Sequence, residues 1–298
     1  MITRFTQLVE QASAVGPRRI VVILPGTKDS LHSAALAQQR GPAQCALVGD
    51  VTAMRTLAGD NGIDLSAVTL IDEPDQTIAV QRAMDLCHKG KAEVLVNDSA
   101  PLRILLPAVL ARQGGLRTGS LLSGVSVCEL QDPHHLLLLT DGVMVVSPDL
   151  EERIAIVENA VRVAAKLGIE LPHVALIAAT ETVNPKSPPS VQAAQITVMS
   201  KHHQLTGAII DGPLGFDNAI SSQAAKIKDI ASDVSGKVDI LVAPDLAAGN
   251  LLLKTLSTLC QVPVVNIVVG GKVPLVFWSP TDDVQTRMAA TALGILCT

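Results

Sequence analysis

Short apolar runs alternate along the whole chain with segments of helical periodicity, and this alternation constrains the fold more than any other sequence feature. The runs are Ile20–Leu24, Cys45–Gly49, Val68–Ile71, Glu93–Val96, His135–Leu139, Val174–Ala178, Ala208–Ile210, Asp239–Val242, Val262–Val269 and Pro274–Trp278. A strand that is buried on both faces of a parallel sheet is apolar along nearly its whole length. The pattern therefore predicts an α/β fold with mostly parallel strands.

Three helices are predicted from apolar spacing and end signals. In the first, Ser147 fits the N-cap and Pro148 the first helical position, and apolar residues then recur at helical spacing until Gly168. The other two run roughly from Thr77 to His88 and from Ser222 to Ile230.

Length and composition limit how such a fold is built. The chain has 298 residues, enough for about two domains. It contains three Phe, one Trp and no Tyr, so the core must consist of Leu, Val, Ile and Ala. Binding of nucleic-acid bases by aromatic stacking is excluded, because the aromatic side chains are missing.

Charge and cysteine content indicate the partners and the compartment. The net charge is −5, and no basic stripe suggests a nucleic acid or an anionic membrane as partner. No uncharged apolar run reaches 18 residues, and the first residues lack the apolar core of a signal peptide. The five cysteines are widely spread and form no CxxC pair. Together these features predict a cytoplasmic protein with reduced thiols.

Several cofactor motifs are missing from the sequence. No G-x-G-x-x-G follows a strand, no P-loop is complete, and neither H-E-x-x-H nor G-x-S-x-G occurs. The adjacent pairs His134-His135 and His202-His203 do not share one face of a helix or strand. We therefore expect no metal site and no nicotinamide site.

Polar residues follow several of the predicted strands, where open α/β sheets bind their ligands. They are Thr140-Asp141, Glu181, Asp211-Gly212-Pro213, Pro244-Asp245 and Ser279. The alternative is that some of them only cap the following helices. Taken together, they favour a binding cleft.

Six segments in order along the chain resemble the phosphate acetyltransferase and phosphate butyryltransferase family, more closely its butyryltransferase branch. They are Gly115-Leu116-Arg117-Thr118-Gly119 with Leu122-Ser123; Leu139-Thr140-Asp141 with Pro148; Glu181-Thr182-Val183-Asn184; Asp211-Gly212-Pro213-Leu214 with Asp217-Asn218-Ala219-Ile220; Pro244-Asp245 with Ala248-Gly249-Asn250; and Gly270-Gly271-Lys272-Val273-Pro274 leading to Ser279.

The resemblance implies the reaction acyl-CoA + phosphate ⇌ CoA + acyl phosphate, with a short or branched acyl chain. It also implies two α/β domains with a cleft between them, similar to the isocitrate and isopropylmalate dehydrogenase fold. The first domain would comprise residues 1–125 and 270–298, and the second residues 126–269. Members of this family are typically cytoplasmic homodimers that need no metal and use coenzyme A as a substrate rather than as a tightly bound cofactor.

The reaction requires a base for the CoA thiol, and donors for the oxyanion and the leaving phosphate. The resemblance assigns Arg117 as the phosphate or oxyanion donor, Ser279 as a hydrogen-bond donor to the acyl phosphate, and Asp282 as general base. It assigns substrate binding to Thr118, Gly119, Ser123, Asp211, Asn250 and Lys272. Alternatives remain for the catalytic three: a surface arginine, a strand-end cap, and an acid that stabilises a helix N-terminus.

The sequence departs from the family at three basic positions. Pro280 replaces an Arg after the serine, Asn97 stands where a Lys opens the loop after Glu93–Val96, and Gly124 replaces a His. Asp98 adds a negative charge, and Arg103, Arg287 and Lys272 are candidates to fill the gaps. The alternatives are a catalytically silent paralogue that binds CoA or acyl-CoA, or an enzyme with another acyl acceptor.

Overall fold

The structure is a computed structural model, and it describes residues 1–130 and 136–298. The histidine pair His134-His135 and the start of the predicted strand at His135 lie outside the described residues. The chain forms two compact units. The split unit comprises Phe5–Ser120 and Val265–Thr298, and the middle unit comprises Leu121–Val264 together with Met1–Arg4.

The split unit contains strands and helices in alternation. Its strands are β1 (Arg18–Ile23), β2 (Ala43–Gly49), β3 (Thr69–Asp72), β4 (Val94–Asn97), β10 (Val264–Val269) and β11 (Leu275–Phe277). Its helices are α1 (Phe5–Val15), α2 (Lys28–Gln39), α3 (Val51–Asp60), α4 (Gln76–His88), α5 (Leu102–Leu110) and α11 (Val284–Leu296). The strand order is β3-β2-β1-β4-β11-β10, and only β10 runs antiparallel to its neighbour within these described strands.

The middle unit has a similar construction. Its strands are β5 (Ser123–Cys128), β6 (Leu137–Thr140), β7 (His173–Ile177), β8 (Ile209–Leu214) and β9 (Ile240–Val242). Its helices are α6 (Leu150–Lys166), α7 (Pro188–Lys201), α8 (Phe216–Ile220), α9 (Ser222–Ile227) and α10 (Leu246–Lys254), which continues into a π-helical turn at Thr255–Leu259. The order is β5-β6-β9-β7-β8, with β5 antiparallel to β6 and the others parallel.

The α/β prediction is confirmed, and every predicted run contains or overlaps an observed strand. The run that the prediction missed is β5, which is fully buried. Its sequence, Ser-Gly-Val-Ser-Val-Cys, lacks the continuous apolar character of a buried strand. Ser123 fits there because Asn159 donates a hydrogen bond to its hydroxyl, and Gly124 fits because Val143 leaves no room for a side chain.

The predicted start of α6 is wrong by two residues, whereas its predicted end is confirmed. Asp149 is the N-cap, and its side chain and that of Glu152 each accept a hydrogen bond from the other residue's backbone N–H. This reciprocal capping box satisfies two amides that a cap at Ser147 would leave without partners. Gly168 follows the helix with φ +79°, as a C-terminal glycine should.

The core consists of aliphatic side chains, as the composition requires, with Trp278 and Phe5 as buried aromatic additions. Within each unit, the parallel strands bring their carboxyl ends to one edge of the sheet. We call this the carboxyl edge, and the opposite one the amino edge. Among the described residues, no helix combines the length and apolar character needed to cross a bilayer.

Candidate active site

At the carboxyl edge of the split unit, Ser279 and Asp282 form one tight turn after β11. The Ser279 backbone N–H donates to Asp282 Oδ2 at 2.7 Å, and the Asp282 N–H donates to the Ser279 carbonyl at 3.0 Å. Ser279 Oγ lies 3.0 Å from Thr281 Oγ1. The structure thus brings together two of the predicted catalytic residues, a hydroxyl and a carboxylate.

The helix cap that could have explained Asp282 belongs to its neighbour. Asp283 is the N-cap of α11, and its side chain accepts a hydrogen bond from the Thr286 N–H at 2.7 Å. Asp282 lies one residue earlier and is half-buried against the Ser279 amide. The sequence alone could not separate these two adjacent carboxylates.

Arg287, one turn into α11, is buried behind the Ser279–Asp282 turn with 1% of its surface exposed. Its Nη2 donates to the Ser279 carbonyl at 3.0 Å. Its Nη1 donates to Thr27 Oγ1 at 3.0 Å and Ser30 Oγ at 2.8 Å, and lies 3.6 Å from Asp98 Oδ1. Arg287 therefore contributes no exposed charge for a ligand, although the sequence made it a candidate for that role.

The Asp98 side chain is as deeply buried as that of Arg287, and both of its carboxylate oxygens have partners. Its Oδ2 accepts hydrogen bonds from the Gly26 amide at 3.1 Å, Ser30 Oγ at 2.8 Å and Ser99 Oγ at 2.9 Å. The negative charge that this residue adds to the loop after β4 is balanced by Arg287. Asp98 therefore does not present an exposed repulsive charge to a phosphate.

Asn97 closes the same loop on itself. Its Oδ1 accepts the Ala100 N–H at 3.2 Å and its Nδ2 donates to the Ala100 carbonyl at 3.3 Å. Asn97 is buried, so it cannot extend toward a ligand as a lysine would. The following helix α5 begins with Pro101 at the N-cap and carries Arg103, which is exposed and makes no hydrogen bond or ion pair with a described residue.

Arg117, Thr118, Gly119 and Lys272 lie at the amino edge of the split unit, away from Ser279 and Asp282. The β10–β11 hairpin carries Lys272, and Arg117 pairs with Gly271 in an antiparallel bridge. The hairpin precedes β11 and the Ser279 turn follows it, so the two are at opposite ends of that strand. Because β11 runs parallel to β4, the hairpin end is the amino edge. The Pro274–Trp278 segment between them is about 13 Å long when extended.

The amino-edge residues are exposed, and their contacts differ. Thr118 Oγ1 donates to the Gly270 carbonyl at 2.9 Å, and Lys272 Nζ lies 3.1 Å from His88 Nδ1. Gly119 has φ +102°, which favours glycine. The Arg117 guanidinium makes no hydrogen bond or ion pair with a described residue and is free to meet an anion.

In the middle unit, the buried Asp141 is the centre of a loop at the carboxyl edge. Its carboxylate accepts hydrogen bonds from four backbone amides, those of Gly124 at 2.8 Å, Val143 at 2.6 Å, Met144 at 2.8 Å and Val145 at 3.2 Å. Burial raises the pKa of Asp141 above its ordinary value, and the amide donors oppose that shift. Asp141 therefore organises the loop.

Two of the predicted binding residues flank this loop, and a third does not. Ser123 is fully buried, and its Oγ accepts a hydrogen bond from Asn159 Nδ2 at 2.7 Å. Asn250 is exposed on α10 and donates to the Gly142 carbonyl at 3.2 Å. Asp211 is half-buried within β8, at the far end of the strand order from β5. The buried position of Ser123 leaves its hydroxyl no exposed atom for a ligand.

Gly124, where the family has a histidine, has no room for a side chain. An added Cβ would lie 2.4 Å from Val143 Cβ and 2.9 Å from Asp141 Oδ1. We expect Gly124→Ala to lower the free energy of unfolding by about 1–3 kcal/mol, because the loop must shift to admit the methyl group. Urea denaturation measures this change.

Gly59→Ala is the matched control for the Gly124 variant. Gly59 lies in α3, is exposed, and has nothing within 4 Å of an added Cβ. Alanine there should leave stability unchanged or raise it by about 0.4–1 kcal/mol. A Gly124→Ala protein as stable as the parent would contradict the packing argument.

Thr27 and Ser30 are site-supporting residues that the sequence analysis missed. Both lie at the start of α2 and accept a hydrogen bond from Arg287 Nη1, and Thr27 is also the N-cap of that helix. The available signal was Pro25-Gly26-Thr27 directly after an apolar run, the position of a ligand loop in α/β sheets. Within the described residues, no three His, Cys, Asp or Glu side chains are placed to share a metal ion.

Comparison with known sequences finds acyltransferases. The family model described as phosphate acetyl/butaryl transferase matches residues 78–295. A phosphate acetyltransferase of Rhizobium meliloti is 36% identical over 294 residues, which cover 99% of this chain and 93% of the relative. A phosphate butyryltransferase of Clostridium acetobutylicum is 34% identical over 296 residues, covering 99% and 98%.

Comparison with solved structures agrees. A branched-chain phosphotransacylase from Enterococcus faecalis V583 matches with a TM-score of 0.80 at 28% identity, covering 94% of this chain and 98% of that one. A putative 4-hydroxythreonine-4-phosphate dehydrogenase from Salmonella typhimurium matches with a TM-score of 0.59 at 12% identity, covering 94% and 99%. The second likeness shows the fold alone, and it confirms the dehydrogenase-like fold expected from the sequence.

Proposed function

This chain belongs to the phosphate acetyl/butaryl transferase family, and from that premise we propose that it catalyses acyl-CoA + phosphate ⇌ CoA + acyl phosphate. The match to enzymes over nearly the full chain carries this proposal. The silent-paralogue and other-acceptor alternatives are not favoured, because the relatives are named as phosphate acyltransferases.

The Ser279–Asp282 turn supplies groups that suit this reaction. In the direction of acyl-CoA synthesis, the CoA sulfur attacks the acyl carbonyl carbon, the carbon–sulfur bond forms, and the bond to the phosphate oxygen breaks. The thiol proton goes to the Asp282 carboxylate, and the phosphate leaves as the anion. Ser279 Oγ donates a hydrogen bond to an oxygen of the acyl phosphate.

Arg103 is the cation that we propose for the phosphate in place of the missing family Arg and Lys. It lies in the first turn of α5, just after the carboxyl end of β4. Of the sequence candidates, Arg287 is buried in its pair with Asp98 and Lys272 lies at the amino edge. A helix N-terminus also favours an anion, because its first amides lack helical partners.

The function is tested by thiol release from acetyl-, butyryl- and isobutyryl-CoA, with and without inorganic phosphate. We expect phosphate-dependent release, fastest with a short or branched chain. The relatives named as acting on acetyl, butyryl and branched-chain groups support that range. Absence of phosphate-dependent release with all three substrates, in folded protein, would refute the proposal.

Arg117 remains our proposed donor to an anionic part of the substrate. Because Arg117 lies away from Ser279 and Asp282, replacing it by Ala should act mainly on KM. We expect kcat/KM to fall by about 10–100-fold, the effect of losing one charge-assisted hydrogen bond, and the unfolding curve to stay unchanged. Arg112→Ala, in the same loop and also exposed, is the control. An unchanged kcat/KM for Arg117→Ala would restrict the site to the residues around Ser279.

We also propose that Thr118, Gly119, Asp211, Asn250 and Lys272 contribute to binding CoA and phosphate, and that the buried Ser123 supports the site through its hydrogen bond with Asn159. We further propose that the protein is a cytoplasmic homodimer without a tightly bound cofactor. The free state of all five cysteines supports a reducing compartment. Sedimentation velocity of the purified protein tests the dimer, and a monomer at micromolar concentration would contradict it.

A further inference from the structure

Three loops at the carboxyl edge of the split unit meet at one guanidinium group. Arg287 contacts Thr27 and Ser30 after β1, Asp98 after β4, and the Ser279 carbonyl after β11. The guanidinium also lies 5.7 Å from the centre of the Trp278 ring, within reach of a cation–π interaction. Its position is therefore defined from several directions.

The geometry of the guanidinium divides these contacts between its two ends. Nη1 makes the bonds to the α2 hydroxyls and faces Asp98, whereas Nη2 makes the bond to the Ser279 carbonyl. A planar fork with donors in fixed directions can hold both sides at once. A lysine ammonium carries the same charge but offers no rigid spacing between two groups of acceptors.

Asp98 in turn keeps the Arg287 guanidinium in the orientation that bonds the Ser279 carbonyl. Three hydrogen bonds to Oδ2 leave Oδ1 directed to the guanidinium, and both side chains are almost fully buried, at 1% and 2% exposure. Screening by solvent is weak at such a site, so the attraction keeps the guanidinium in one orientation. Small displacements of reacting groups, near 1 Å, can lower rates by about 10²-fold.

We propose that Arg287, oriented by Asp98, is a positioning residue that sets where Ser279 and Asp282 stand relative to the substrate. The inference rests on the proposed function. Arg287 touches no reacting atom and acts through the Ser279 carbonyl.

The test compares Arg287→Lys with the parent in phosphate-dependent thiol release. We expect kcat to fall by about 10–100-fold with KM changed by less than about twofold, because the charge stays while the bond to Ser279 is lost. Asp98→Asn should give a smaller loss in the same parameter, because it keeps acceptors for Gly26 and Ser99 but loses the charge. Should Arg287→Lys fail to fold, Asp98→Asn is assayed at a temperature where it is folded, and an unchanged kcat there would overturn the proposal.

Two controls separate positioning from general destabilisation. Arg82→Lys changes an exposed arginine on α4 that makes no hydrogen bond or ion pair with a described residue, and Met84→Ala removes a buried side chain from the same helix. Both should keep the parental kcat at a temperature where they are folded. Equal kcat losses in Met84→Ala and Arg287→Lys, or no loss in Arg287→Lys, would overturn the proposal.

Hydrogen exchange provides a readout that does not require activity. The Ser279 and Asp282 amides are bonded within the turn, and we expect them to exchange faster in Arg287→Lys but not in Arg82→Lys. Should the parent protein show no phosphate-dependent turnover, the proposed function fails, and exchange alone decides the inference. Unchanged exchange in Arg287→Lys would then reject it.

Discussion

An Arg287→Met protein is expected to lose about 3–5 kcal/mol of its free energy of unfolding, the largest change in stability that we predict. Methionine fills a similar volume but carries no charge, so the Asp98 carboxylate stays buried without its cation. The hydrogen bonds to Thr27, Ser30 and Ser279 are lost as well. Urea denaturation followed by circular dichroism measures the change.

The double variant Arg287→Met with Asp98→Asn identifies the cause. Removing the unpaired charge as well should recover a large part of the loss, because the cost of breaking a buried pair comes mainly from the charge left behind. Arg82→Met, at an exposed position, should change stability by less than about 0.5 kcal/mol. A loss below about 1 kcal/mol in Arg287→Met would contradict the role given to the pair.

The largest expected effect on activity comes from Asp282→Asn, which should lower kcat by about 10²–10⁴-fold. Asparagine keeps an oxygen that can accept the Ser279 amide, so the turn is retained. It cannot accept the thiol proton, so the general base is lost. Steady-state turnover with an acyl phosphate and CoA measures the effect, and the unfolding curve should match that of the parent.

Asp283→Asn is the matched control, one residue further along the chain. Asparagine and aspartate are equally good N-caps, so the bond to the Thr286 amide and the stability of α11 should persist. The kcat of this variant should be within about twofold of the parent. Equal losses at the two positions, or a fully active Asp282→Asn protein, would remove the base from Asp282.

The strands could be predicted from sequence wherever burial on both faces required an apolar run. The prediction failed at β5, because its Ser and Gly residues are selected by partners elsewhere in the chain. Asn159 bonds Ser123, and Val143 occupies the space at Gly124. Local patterns carry no information about such partners.

For the candidate site as well, the sequence named residues but did not show where they lie. Ser279 and Asp282 were selected by the resemblance to the family, and the structure places them together because they are joined by one turn. The sequence also grouped Arg117 and Lys272 with them, whereas within the split unit these residues lie at the opposite edge of the sheet. The reason is that Lys272 precedes β11 and Ser279 follows it, so the two lie at opposite ends of that strand, and the bridge to Gly271 holds Arg117 at the Lys272 end.

The sequence by itself determined the fold class and the family, because these depend on periodicity and on the order of motifs along the chain. Only the tertiary structure decided that Asp98 is balanced by Arg287, that Asp283 rather than Asp282 caps α11, and that Gly124 admits no side chain. Each of these depends on which side chains meet in three dimensions. Burial then converts those contacts into large free energies, since an unpaired charge or an extra atom cannot be relieved by solvent.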